Sequence, residues 1–79
     1  MATLRLFAAA REAAGTGRAS MPGATVQAVI DAAVAEFGPD FARVVESSRI
    51  WCNGEQAEPG DPVNEDDEVA VLPPVSGGN

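Results

Sequence analysis

Thr25-Val26-Gln27-Ala28-Val29-Ile30-Asp31-Ala32-Ala33-Val34-Ala35-Glu36-Phe37 is the stretch on which the fold turns. Val26, Val29, Ile30, Ala33, Val34 and Phe37 recur at the i, i+3, i+4, i+7 spacing of one helix face. Thr25 stands where an N-cap belongs, and Gly38-Pro39 where a helix stops. Gln27, Asp31 and Glu36 fall on the remaining face, so the helix is expected to lie on the surface with one side laid on a sheet.

Both flanks supply that sheet. Upstream, Thr3-Leu4-Arg5-Leu6-Phe7 alternates, which predicts a half-buried strand with Leu4 and Leu6 on one side and Arg5 and Phe7 on the other. Ala8 to Gly17 has little periodicity and reads as a loop, with room for a helical turn over Ala9 to Ala14. Arg18 to Met21 is a short second strand that Pro22-Gly23 turns towards the helix. Downstream, Asp40 to Ser48 predicts a short second helix with Phe41, Val44 and Val45 facing inward. Arg49-Ile50-Trp51-Cys52 runs into Asn53-Gly54, the dipeptide favoured in tight hairpins. Glu55 to Asn64, with Pro59-Gly60 and Pro62, is mostly turn; Glu65-Asp66-Asp67 is an acidic turn, and Glu68 to Leu72 is the last strand.

One helix crossing a mixed sheet of four to five strands accounts for this order, an α+β arrangement of the ubiquitin-like β-grasp kind. The domain is expected to occupy residues 1–72, with residues 73–79 as an extended tail. Pro73-Pro74 stiffens the exit from the last strand, and Gly77-Gly78 is slim enough to thread a narrow channel. Such a tail suits delivery of a carboxyl group into another protein's active site.

At 79 residues and net charge −7 the chain has one core and an acidic surface. Nucleic acid is disfavoured as a partner, and a basic protein surface is favoured. There is no histidine, and all five cations are arginines. The lack of lysine has two readings, avoidance of self-conjugation at an activated carboxyl terminus or an arginine-rich genome. Lone Cys52 excludes an internal disulfide and reads as a small core residue. No apolar run is long enough for a membrane span, and the first residues lack a signal-peptide pattern, so a cytoplasmic location is expected. Without histidine no Ser-His or Cys-His pair exists, and consecutive Asp66, Asp67 and Glu68 read as a solvated turn rather than a metal site.

Leu6-Phe7-Ala8, Arg11-Glu12, Gly15, Thr25-Val26, Asn53-Gly54 and the closing Pro73-Pro74-Val75-Ser76-Gly77-Gly78 resemble the sulfur-carrier proteins of the MoaD/ThiS family, and within it the molybdopterin synthase small-subunit branch. The resemblance implies a non-catalytic carrier that binds no cofactor. A ubiquitin-activating-like adenylyltransferase uses ATP to adenylate the terminal glycine carboxylate, sulfur displaces AMP, and the resulting thiocarboxylate enters an acceptor such as the molybdopterin synthase large subunit. It implies that Gly78 carries the sulfur, that Gly77 gives clearance, and that Pro73, Pro74 and Val75, followed by Ser76, set the path. Asn79 departs from the pattern, since family members that act directly end on the second glycine. A peptidase then removes it, or it is an addition to the natural chain, or this copy is inactive. Other acceptors (thiazole, cysteine or natural-product sulfur transfer) and amide modification of target lysines are the alternatives.

Alternation also predicts a docking surface. With Leu4, Leu6, Ile50, Val69 and Val71 facing the helix, the opposite sheet face carries Phe7, Trp51, Ala70 and Leu72, an apolar patch beside the tail. A reversed register of the Trp51 strand would instead bury the indole.

Overall fold

The helix over Val26–Phe37 (α2) begins where its cap dictates: the Thr25 hydroxyl oxygen accepts from the Ala28 N–H at 3.1 Å. The remaining N–H groups of the first turn are met by the turn-rich segment, Val26 N–H donating to the Asp61 carbonyl and Gln27 N–H to that of Pro59, each at 2.9 Å. Val63 N–H bonds the Ala24 carbonyl at 2.8 Å and its side chain is buried, so this segment is pinned along the start of α2. Gly38 closes α2, and Pro39 opens α3 (Pro39–Glu46), because a first-turn position needs no N–H.

The computed structural model describes residues 1–74, as five strands and three helices. The strands are β1 (Ala2–Leu6), β2 (Arg18–Met21), β3 (Arg49–Cys52), β4 (Glu55–Gln56) and β5 (Glu68–Leu72), in the order β2-β1-β5-β3-β4. β1 and β5 run parallel at the centre, with Leu4 beside Val69 and Leu6 beside Val71, and the other pairs are antiparallel. This is the mixed α+β sheet expected. Two-residue β4 and Asn53-Gly54 at φ 52° and 85° form the tight hairpin foreseen for that dipeptide.

One face of the sheet makes the core. Leu4, Leu6, Val69 and Val71 are buried against Val26, Val29, Ile30 and Ala33 of α2 and Phe41 of α3, with Ile50 and Cys52 packed at the margin. Ala2, Ala10, Met21 and Val63 complete it.

Residues 8–17 require correction. Where a loop with a helical turn over Ala9 to Ala14 is expected, Ala8–Ala14 forms a regular seven-residue helix, α1. Alanine has the best intrinsic helix propensity yet gives little hydrophobic periodicity, so the pattern concealed the element. Ala8 takes φ 51° to swing the chain out of β1, and Gly15 at φ 79° ends the helix with its N–H on the Arg11 carbonyl at 2.9 Å. Buried Ala10 anchors the helix, which packs beside α3.

Candidate functional site

The root of the tail lies mid-sheet. β5 ends at Leu72, which pairs with Arg49, the first residue of β3. On the other side Leu6 pairs with Val71, so the next step of the parallel register brings Phe7 level with Leu72. Half-buried Pro73 and exposed Pro74 then lead the chain off the sheet between these two flanks. Val75, Ser76, Gly77, Gly78 and Asn79 lie outside the described residues.

The register settles the orientation of Trp51. It pairs with Ala70 while Ile50 pairs with Val71 and Cys52 with Val69, so Trp51, Ala70 and Leu72 occupy the face away from the helices. The indole is therefore not a core side chain. All three are half-buried rather than fully open, because each strand has neighbours on both sides: Trp51 lies between Gln56 on β4 and Ala70 on β5. Phe7 is more open, at 39% exposure.

Arg5 shares this face and pairs with Ala70 in register. Its guanidinium lies 3.3 Å from a Glu68 carboxylate oxygen and 5.8 Å from the centre of the Phe7 ring. The ion pair is part-exposed and contributes under about 1 kcal/mol, but together with the cation–π contact it orients Phe7. Arg5, Phe7, Arg11, Thr16 and Arg18 border a shallow cleft of about 330 Å³ at this end of the sheet. Sequence reasoning missed the gathering of arginines here, because it requires the pairing of β1 with β2, which sets Arg18 opposite Arg5.

The remaining polar groups are structural. Burial, aided by the charges of Asp67 and Asp61, pushes the Cys52 thiol above its ordinary pKa, which disfavours the thiolate that nucleophilic or redox chemistry would need. Asp67 accepts from the Asn64 backbone N–H at 2.9 Å and the Asn53 side-chain amide at 3.0 Å, and these bonds hold its carboxyl below the usual range. Among the described residues, no three acidic or sulfur ligands gather in a way that could hold a metal. No helix of the described residues is long and apolar enough to cross a membrane.

The fold of this chain is shared with known structures. Small archaeal modifier protein 1 of Haloferax volcanii is 36% identical, with 96% of this chain and 97% of that one covered and a TM-score of 0.81. The protein of the same name from Methanosarcina acetivorans is 28% identical over 98% and 95% of the two chains, with a TM-score of 0.87. A Pyrococcus furiosus protein provisionally assigned as molybdopterin converting factor subunit 1 is 25% identical over 94% and 97%, with a TM-score of 0.78. No curated sequence matches significantly. The ThiS family matches residues 4–78, from the first inward leucine of β1 to the second glycine of the tail and no further. Since that match spans nearly the whole chain and its structural relatives carry the same sheet, the chain belongs to the ThiS family of ubiquitin-like sulfur carriers.

Proposed function

We propose that this protein carries sulfur on Gly78 as a thiocarboxylate and donates it in molybdopterin biosynthesis. One observation carries the reading: the family match runs through Gly78 and stops short of Asn79, on a chain whose last strand ends mid-sheet beside an apolar face. The chain's part is to bind and present. Phe7, Trp51, Ala70 and Leu72 form the contact surface for the ubiquitin-activating-like adenylyltransferase and for the acceptor enzyme, while Pro73 and Pro74 aim the tail. A carboxylate is a poor acyl donor; as an acyl-adenylate it has AMP as a leaving group, and sulfur attack gives the thioacid. Asn79 is removed by a peptidase before activation.

ATP–pyrophosphate exchange with the adenylyltransferase of the same cell tests this reading on chains ending at Gly78 and at Asn79. Exchange with the shorter chain alone is expected. Equal exchange would overturn the processing step, and exchange with neither would overturn the carrier reading.

The identity to the small archaeal modifier proteins favours a second reading, in which the activated glycine forms an amide with a target lysine. Both begin with adenylation. A protein-sized adduct in place of sulfur would favour the modifier.

A further inference from the structure

The chain is strongly acidic, yet the open face of its sheet is cationic at the end where the tail leaves. Arg18 on β2 pairs with Arg5 on β1, and Arg49 on β3 pairs with Leu72, so these three arginines sit at the tail end of a face that points away from the helices. Glu58 borders the same cleft as Arg49 without pairing to it within 4.0 Å, and most of the other acids lie elsewhere. Glu65, Asp66 and Asp67 form the turn before β5, and Glu55 pairs with Cys52 beside the hairpin, all at the opposite end of the sheet. Glu36, Asp40 and Glu46 belong to the helix layer, and Glu12 to α1. Glu68, on the open face, is taken up by Arg5. Among the described residues Arg18 and Arg49 have no carboxylate within 4.0 Å, whereas Arg5 and Arg43 do.

This arrangement makes a demand on whatever receives the tail. A protein that closes over Phe7, Trp51 and Leu72 also covers the guanidiniums on either side of the tail root, and a covered cation without a counter-charge is strongly unfavourable. We infer, on the basis of the carrier reading, that the partner's tail channel is flanked at its mouth by carboxylates, one group meeting Arg18 and another meeting Arg49, with apolar surface between. β2 and β3 are three strand spacings apart, and Arg18 is level with Ala70 while Arg49 is level with Leu72, two residues further on, which sets the two acidic positions about 16 Å from each other. The net negative charge of the chain steers badly towards such a mouth, so the two arginines supply local attraction and register. Orientation follows: the acidic hairpin end is repelled, and only the tail end approaches.

The test uses the chain ending at Gly78 and the adenylyltransferase of the same cell, with pyrophosphate exchange as the readout. Arg18→Glu and Arg49→Glu are each expected to raise KM for the carrier roughly tenfold at low ionic strength, with kcat retained and the double variant additive. Wild-type KM should rise with added salt. Arg43→Glu, on α3, should leave KM unchanged. Arg18→Gln and Arg49→Gln should act in the same direction by a smaller factor, which guards against reversal of charge disturbing the sheet. Unchanged or lowered KM in the Arg18 and Arg49 variants, with wild-type exchange intact, would overturn the acidic mouth and leave the carrier reading standing. Absence of wild-type exchange would overturn both.

Discussion

Asn53 is the residue on which the hairpin end depends. Its φ of 52° is a conformation asparagine tolerates better than other side chains, and its amide closes a clasp onto β5. Asn53 donates to the Asp67 carboxylate at 3.0 Å, and its own side-chain oxygen accepts from the Glu68 N–H at 2.9 Å. Asn53→Ala removes both bonds and places a less suitable residue at positive φ, so a loss of about 2 kcal/mol is expected in urea unfolding. Because Asp67 titrates below its unfolded value, its contribution is present above that value and is lost as pH falls through the lower folded one. Melting temperature should therefore drop as the pH is taken below about 4, and less steeply in Asn53→Ala. The Asn64 N–H is the larger cause of the lowered Asp67 carboxyl and stays in the variant, so an identical acid dependence in the two proteins would show that the Asn53 amide has no share in it. The sequence identified Asn53 as a turn former. Its partnership with Asp67, 14 positions away, needs the pairing of β3 with β5 and was not legible.

Among the elements, those with strong periodicity or alternation were readable and those without were not. α2 was legible with its Thr25 cap, and α3 with inward Phe41, which is fully buried and meets Phe37 edge-on at 5.2 Å. α1 was not, since seven residues of mostly alanine present no apolar stripe. Alternation in β3 placed Trp51 on the open face, the inward side of α3 placed Phe41 in the core, and two substitutions compare them. Phe41→Ala should cost about 3–5 kcal/mol in chemical unfolding, as for other core aromatics. Trp51→Ala should cost far less and leave the far-ultraviolet circular dichroism unchanged, while weakening binding to the adenylyltransferase by at least about tenfold, as expected of a tryptophan anchor. Equal destabilisation by the two would contradict the open face. Thr25→Ala gives a third check on this scale, an expected loss of about 1 kcal/mol from the cap alone.

For the whole molecule, the topology turns a small acidic domain into a platform with one distinguished end. Parallel β1 and β5 bring Phe7 and the tail root to the same end of the sheet's centre, and β2 and β3 set Arg18 and Arg49 to either side. The apolar part of this site was legible because alternation alone divides a strand into two faces. The cationic part was not, because charge summed over the chain hides where strand pairing puts each residue. The central claim, that Gly78 carries sulfur, is tested most directly by intact mass spectrometry of the chain ending at Gly78 after incubation with the adenylyltransferase, ATP and a sulfur donor. The account predicts the mass increase of one oxygen replaced by sulfur, located on the C-terminal glycine and absent in Gly78→Ala; an unchanged mass, or sulfur found on Cys52 instead, would contradict it.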